Sequence, residues 1–381
     1  MSTLGEVSAV STQTAEERQL LEAARDGDES SFERLVQPRR GELHAHCYRM
    51  LGSVHDAEDA LQEALLRAWR GLPKFEGRSS LRSWLYRIAT NTCLDAVERR
   101  PKRVLPVDYG PASDPHDGPG GPVVESVWIE PYPDETLAVE DGYAAPEARY
   151  DQREAVELAF VAALQHLPAN QRAALIMREV LGFSAKETAE ALDTTTASVN
   201  SALQRARKTM EEKTPEQSQQ ATLRALGDDR VRELVESYVD AWQREDIDAV
   251  VSMLAEDATF SMPPLRTWYG GPEGRRPSLT DFMHVGPLSG EWRWRPVRVR
   301  ASGQEALAFY EWDDAEGAYT PFALNILTFR GEEISDVTCF ITRSIESDDP
   351  EAYARWPDEP IDPGRLEAYF GRFGLPDRID A

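Results

Sequence analysis

The stretch DAEDALQEALLRAWR, from Asp56 to Arg70, carries apolar residues at steps of three and four along the chain. This spacing places them on one face of an α-helix. Similar spacing extends from Glu16 to about Arg103 and predicts a domain of three or four packed helices. Residues 67–103 contain ten basic side chains and three acidic ones, so they form the most basic part of the chain.

The chain as a whole is acidic, with 42 basic and 67 acidic residues among its 381 and a net charge of -25. Phosphate binding requires clustered Lys and Arg, so the local basic segment is more informative than this total. The three cysteines are far apart, which predicts neither a disulfide framework nor a metal site. No apolar run has the length of a membrane span. We expect a cytoplasmic protein with no cofactor and no membrane contact.

Composition divides the rest of the chain. Residues 104–147 hold ten acidic residues, eight prolines and no Lys or Arg, which predicts a mobile acidic, Pro-rich linker after the helical domain of residues 16–103. Residues 148–213 return to helical spacing, and residues 214–227 form a polar connector. Residues 228–344 read as helices followed by strands, which predicts an α+β domain with a curved antiparallel sheet, and residues 345–381 form a tail. The predicted fold class is therefore multidomain, with two all-α domains and one α+β domain.

The second helical domain contains a predicted helix-turn-helix. Ser184 to Glu187 has the form of a capping box, the helix that follows breaks at Asp193 to Thr195, and a second helix resumes at Thr196 or Ala197. The outward face of the second helix carries short polar groups that suit base edges and cations that suit phosphates: Ser198, Asn200, Ser201, Gln204, Arg205, Arg207 and Lys208. The alternative is the solvated face of an ordinary helical hairpin.

Two sets of motifs together resemble one family. Residues 56–70, followed by LRSWLYRIATN at residues 81–91, closely resemble region two of the extracytoplasmic-function sigma factors. Residues 164–175, 184–192 and 199–207 resemble region four of the same family, and the two regions occur in the family's order. The resemblance implies a sigma factor that binds the largest subunits of core RNA polymerase, recognises the minus-ten and minus-thirty-five promoter elements, and needs no catalytic residue.

The resemblance also implies roles for individual residues. Polymerase contacts are expected on one helix, at Asp56, Asp59, Gln62, Glu63 and Arg67, although the same pattern also fits a plain amphipathic helix. Contacts with the minus-ten DNA are expected at Glu76, Arg78, Ser79, Ser80, Trp84, Tyr86, Arg87, Asn91, Arg99 and Arg100. Aromatic and guanidinium planes stack well on unpaired bases, but core packing is an equal alternative for Trp84. Contacts with the minus-thirty-five DNA are expected on the exposed face of the helix-turn-helix.

The C-terminal domain resembles the cone-shaped fold of nuclear transport factor two, ketosteroid isomerase and the SnoaL-type cyclases, on the run from Tyr238 to Phe260. An isomerase of this fold would need a carboxylate base where the chain has Met262, so isomerase chemistry is disfavoured. A pocket is expected to be lined by Tyr238, Trp242, Trp268, Tyr269 and His284, although such residues are more often satisfied core groups. A small-molecule ligand for that pocket is left open.

The preferred hypothesis is a non-enzymatic sigma factor that directs transcription of a specific regulon. Its C-terminal domain would contact the sigma domains within the same chain and modulate their activity in cis. The alternative is a helix-turn-helix regulator fused to a small-molecule-binding or cyclase- or isomerase-like domain. A third reading, a repressor that works without polymerase, leaves the helix of residues 56–70 without a purpose.

Overall fold

The computed structural model describes residues 15–100, 102–117, 127–136, 153–270, 279–343 and 360–380. The chain separates into two compact units. The first comprises residues 1–51, 56–100 and 168–207, and the second comprises residues 52–55, 101–167 and 208–381. Most of the helix-turn-helix therefore belongs to the same unit as the N-terminal helices.

The helices follow the predicted order along the described ranges. They are α1 (Ala15–Arg25), α2 (Glu29–Val36), α3 (Arg40–Leu51), α4 (Val54–Gly71), α5 (Leu81–Val97), α6 (Pro106–Tyr109), α7 (Leu158–Gln165), α8 (Ala169–Leu175), α9 (Ala185–Ala191), α10 (Thr196–Lys213), α11 (Gln219–Leu226), α12 (Asp228–Gln243), α13 (Ile247–Ser252) and α14 (Pro363–Tyr369). The described N-terminal domain has five α-helices instead of the three or four expected, and Gly27, at a positive φ of 98°, separates α1 from α2. None of the helices in these ranges is long and apolar enough to cross a membrane.

The core of the first unit lies between α3 and α5. His46 on α3 is fully buried, and its Nε2 lies 2.9 Å from Thr90 Oγ1 on α5. Burial, with a smaller contribution from the charges of Arg49 and Arg82, lowers the pKa of His46 to about 3. The imidazole is therefore neutral at physiological pH and acts as a core polar group.

The second unit is built on a seven-stranded sheet with the order β2-β1-β6-β5-β4-β3, in which β7 pairs with β5. The strands are β1 (Leu254–Ser261), β2 (Trp268–Gly270), β3 (Trp294–Ala301), β4 (Gln304–Asp313), β5 (Ala318–Arg330), β6 (Glu333–Ile341) and β7 (Ile379–Asp380). The sheet is curved and mixed, not purely antiparallel as predicted, because β1 and β6 lie side by side and run parallel. The predicted hairpin between β5 and β6 is present, with Gly331 at a φ of 61°.

The described parts of the acidic linker pack within the second unit. The backbone of Val104 donates to Val127 and accepts from Ile129, and Arg103 Nη1 donates to the carbonyl of Trp128 at 2.7 Å. Trp128 is only 6% exposed. These linker segments pack within the second unit because their few apolar side chains find buried partners, and the mobility of the linker stays a prediction. Residues 118–126 and 137–147 of the linker lie outside the described residues.

Candidate functional site

The helix-turn-helix forms as the sequence predicts. Ser184 Oγ accepts from the backbone N of Glu187 at 3.2 Å, and Glu187 Oε2 accepts from the backbone N of Ser184 at 2.9 Å, which completes the capping box. The break between α9 and α10 contains Asp193 at a φ of 48°. Thr195 Oγ1 then accepts from the backbone N of Ser198 at 3.1 Å and caps α10.

The outward face of α10 is open to solvent. All of its predicted DNA-binding residues are exposed: Ser198, Asn200, Ser201, Gln204, Arg205, Arg207 and Lys208. Val199 and Leu203 on the opposite face are buried in the core. Arg207 is paired within the chain, with its Nε 2.6 Å from Glu179 Oε1. The face therefore offers the short polar groups and cations that a major-groove helix needs.

The predicted minus-ten residues divide between an exposed loop and helix α5. The loop residues Glu76, Arg78, Ser79 and Ser80 are exposed, and so are Arg87, Arg99 and Arg100, while Asn91 is half-buried. Ser80 Oγ also caps α5 by accepting from the backbone N of Ser83 at 3.0 Å. Trp84 is half-buried against Phe75, with ring centroids 4.9 Å apart.

Tyr86 does not face solvent as a DNA contact would. Its side chain is 1% exposed, and its ring lies 5.3 Å from His46 and 5.4 Å from Phe183 between centroids. Its hydroxyl donates to Glu42 Oε2 at 3.3 Å, and burial raises the pKa of that hydroxyl. The prediction is therefore wrong for this conformation, because Phe183 before the helix-turn-helix covers the ring.

Helix α4 carries the five predicted polymerase contacts, four of which are exposed or half-buried. Asp56 is 5% exposed and pairs with Arg100, and Arg67 bridges Glu63 and Asp95 at 2.8 Å each. The exposed residues of α4 are His55, Glu58, Asp59, Gln62, Leu66, Arg67 and Arg70. Leu66, at 49% exposure, was missed by the sequence reasoning. Its position seven residues after Asp59 places it on the same helix face and would have identified it.

The C-terminal domain contains a cavity of about 300 Å³ that is partly open to solvent at Val285 and Glu291. Of the predicted pocket residues, Trp242 and Tyr269 line it. The prediction is wrong for the other three. Tyr238 lies deeper in the core, the Trp268 indole turns to the linker and donates to the carbonyl of Gly110, and His284 is exposed outside the described lining.

The cavity differs from an isomerase site in its charges. Met262 lines it where an isomerase of this fold would need a base, and Glu291 is the one carboxylate among the described lining residues. Asp336 is a half-buried carboxylate of the same domain, but it lies outside that lining and accepts from Thr338 Oγ1 at 3.0 Å. Burial raises the pKa of Asp336. No cluster of three metal-binding side chains occurs among the residues the structure describes.

Comparisons with known proteins agree with this organisation. The family described as Sigma-70 region 2 matches residues 35–103, Sigma-70 region 4 matches residues 157–210, and the SnoaL-like domain matches residues 235–337. The sigma factor SigG of Mycobacterium tuberculosis, named an ECF RNA polymerase sigma factor, is 38% identical over 358 residues, covering 93% of this chain and 86% of SigG. The chain belongs to the extracytoplasmic-function sigma factors.

Other relatives of this sigma factor cover less of it or share only its fold. The sigma factor SigM of Mycobacterium tuberculosis is 30% identical over 189 residues, covering 50% of this chain and 80% of SigM. The crystal structure of SigJ from Mycobacterium tuberculosis is similar in fold, with 20% identity, a TM-score of 0.50, and coverage of 84% of this chain and 96% of SigJ. This sigma factor is thus a promoter-recognising protein with a SnoaL-like C-terminal domain.

The structure also shows which residues of region four contact region two. The guanidinium of Arg82 on α5 lies over the ring of Phe183 at 4.7 Å, and its Nη2 donates to the carbonyl of Leu181 at 3.3 Å. Ser83 Oγ donates to Glu187 Oε1 at 3.3 Å. Arg82 and Ser83 were not among the predicted site residues, because helical spacing along one segment carries no information about a contact 100 residues away.

Proposed function

We propose that this sigma factor binds core RNA polymerase through the exposed face of α4. In this proposal the loop of residues 76–80 and the exposed residues of α5 contact the minus-ten element, and α10 contacts the minus-thirty-five element. The C-terminal domain modulates this activity in cis by holding the linker and the start of region four. Since polymerase works in the cytoplasm, the protein acts there.

The contact between regions two and four supports a closed resting state. The two promoter elements are separated by about 25 base pairs, or about 85 Å at about 3.4 Å per pair. Arg82 and Ser83 of region two touch Phe183 and Glu187 of region four directly. One molecule in this conformation cannot reach both elements at once. Promoter binding therefore requires the Arg82 contacts to break.

The turn between β3 and β4 supports the regulatory part of the proposal. Ser302 exchanges hydrogen bonds with the linker, since its backbone N donates to the carbonyl of Tyr132 at 2.7 Å and its Oγ accepts from the backbone N of Tyr132 at 3.0 Å. The backbone N of Gly303 donates to Asp134 Oδ1 at 2.7 Å. Gln304 Oε1 accepts from the backbone N of Leu158, the first residue of α7, at 3.0 Å. One turn of the C-terminal domain thus holds both the linker and region four.

A second anchor holds region four to α11 of the connector, whose Gln219 is hydrogen-bonded in turn to the backbone of Phe329 on β5. Glu157, immediately before α7, accepts from the backbone N of Gln219 at 3.0 Å and of Gln220 at 2.8 Å. These are the first residues of α11, where unsatisfied N–H groups favour an acceptor. Glu157 is 4% exposed, and burial raises its pKa to about 7. Release of region four therefore requires this buried carboxylate to leave its partners.

The proposed function is not enzymatic. Promoter melting needs binding energy to the separated strand and no covalent step. The alternative of a cyclase- or isomerase-like enzyme lacks support from the cavity, because Glu291 at its exposed edge is the one carboxylate of the described lining.

The test is run-off transcription with core RNA polymerase on a library of genomic fragments. The wild-type protein should direct specific transcripts, and none with several active core preparations would refute the sigma role. Gly303→Ala tests the regulatory part, because its Cβ would lie 2.7 Å from the carbonyl oxygen of Arg153. Gly331→Ala is the matched control, since Gly331 also has a positive φ but has nothing within 4 Å of an added Cβ. Equal transcription by the two variants would refute regulation through this turn.

A further inference from the structure

The cavity of the C-terminal domain has rigid aromatic walls. Its lining includes Trp242, Phe282, Trp292, Trp294 and Phe309. The indoles of Trp292 and Trp294 are stacked, with centroids 5.7 Å apart and an interplanar angle of 8°. A volume of about 300 Å³ with predominantly aromatic walls is within the range of small-molecule sites. Flat apolar molecules pack best against such aromatic walls.

Two lining residues carry a buried polar atom that has no hydrogen-bond partner among the described residues: Trp242 Nε1 and Asn325 Oδ1. Asn325 on β5 is 2% exposed, and its Oδ1 is buried with no hydrogen-bond partner among the described residues. Buried polar groups are nearly always paired, and an unpaired one costs about 1 to 3 kcal/mol. The lining residues beside it include Cys339, which lies opposite Asn325 in the strand register. A ligand with a hydroxyl or N–H group would satisfy this oxygen.

The charge of the lining selects against ionised ligands. Glu291 is exposed, and the described lining includes no Lys, Arg or His. Burial, together with the negative charges of Asp114 and Asp117, raises the pKa of Tyr269 to about 12, so this lining hydroxyl is neutral. An anionic ligand would find no cationic partner in the described wall.

The linker completes the wall of the cavity. Pro115 is one of the lining residues. The segment that leads to it is held on β2, where Trp268 Nε1 donates to the carbonyl of Gly110 at 2.9 Å and the backbone N of Ser113 donates to the carbonyl of Trp268 at 2.8 Å. The guanidinium of Arg266 lies 5.4 Å from the ring centroid of Tyr109. A molecule in the cavity therefore touches the linker as well as the cone.

We propose that this cavity binds an uncharged, flat aromatic molecule that donates a hydrogen bond to Asn325 Oδ1. In this proposal the linker segment of residues 109–115, which reaches the lining at Pro115, is the part of the wall that moves as the molecule enters. A bound molecule thereby affects the linker. This effect on the linker rests on the proposed regulation in cis, whereas binding itself does not. The two are separable, because binding is measured without polymerase or promoter DNA.

The test uses the full-length protein with 2-naphthol and naphthalene as probes and 2-naphthalenesulfonate as the charged comparison, by isothermal titration calorimetry. We expect 2-naphthol to bind most tightly and the sulfonate not to bind. Asn325→Leu, which has a similar shape, should weaken 2-naphthol binding about 3- to 10-fold and leave naphthalene within about twofold, as expected for one lost hydrogen bond. Absence of binding by both neutral probes, or equal losses for both in Asn325→Leu, would overturn the site.

The linker wall is tested by the rate of entry. Trp268→Phe removes the hydrogen bond to Gly110 and should speed 2-naphthol association about 3- to 10-fold in stopped-flow mixing, followed through the emission of the probe. Trp312→Phe is the matched control, because its Nε1 also donates a hydrogen bond, to Asp314 at 2.7 Å in an exposed turn away from the described lining. Equal association rates in the two variants would show that the linker does not limit entry.

Discussion

Arg82→Ala should open this sigma factor and strengthen its binding to core polymerase. The guanidinium of Arg82 lies 4.7 Å from the ring centroid of Phe183, and its Nη2 donates to the carbonyl of Leu181 at 3.3 Å. Both partners belong to region four. The substitution removes these contacts, which exist only when regions two and four are together, and also the contacts of Arg82 with Tyr86 and Glu42 within region two.

The magnitude follows from the two contacts with region four. A partly exposed cation–π contact contributes about 0.5 to 1 kcal/mol, and a single neutral-acceptor hydrogen bond contributes about 0.5 to 1.5 kcal/mol. Their loss weakens the closed state by about 1.5 kcal/mol, which raises the open fraction about tenfold if that fraction is small. Because apparent affinity scales with the fraction competent to bind, the dissociation constant for core polymerase should fall by the same factor.

The assay is equilibrium titration of fluorescently labelled sigma factor with core polymerase, at one salt concentration for all variants. Arg87→Ala is the control, because Arg87 is exposed on the same helix and its loss removes the same charge from α5. Thermal unfolding of each variant checks that the fold is retained. Equal affinities for wild type, Arg82→Ala and Arg87→Ala would refute the closed resting state.

Three further predictions concern other parts of the chain. Leu66→Asp should weaken core polymerase binding at least tenfold in the same titration, because it places a charge in the centre of the exposed α4 face, whereas Leu66→Met should not. Burial raises the pKa of Glu157 from 4.5 to about 7, so the protonated carboxyl stabilises the fold fully below pH 4.5, and this stabilisation is lost as the pH rises to about 7. The free energy of unfolding of wild type relative to Glu157→Gln, measured by chemical denaturation, should therefore fall by up to about 3 kcal/mol over that range. The pKa of His46 is lowered from 6.5 to about 3, so the neutral imidazole stabilises the fold above pH 6.5, and this stabilisation is lost as the pH falls. The free energy of unfolding of wild type should fall by about 2 kcal/mol relative to that of His46→Gln between pH 7 and pH 5. No difference between the two proteins would show that the imidazole is solvated.

The cone-shaped domain shows which features of a fold local sequence patterns predict and which they do not. Alternation along the strands and the turn at Gly331 were sufficient to predict the β5–β6 hairpin, because both signals are local. They did not reveal that β1 runs parallel to β6, since strand neighbours distant in sequence leave no local signal. The pocket prediction failed in part for the same reason. Tyr238 and Trp268 have side chains that suit a pocket, but Tyr238 is buried in the core and the Trp268 indole is hydrogen-bonded to the linker.

The sequence alone determined the helical domains, the capping box at Ser184, the exposed face of α10 and the resemblance to sigma factors, because each depends on residues close together in the chain. Only the tertiary structure decided that Tyr86 lies beneath Phe183, that Arg82 joins region two to region four, and that the turn at Gly303 holds the linker. These contacts join residues about 100 or more positions apart. Such contacts depend on how whole helices and strands pack against each other, and the periodicity of a helix or strand does not predict them.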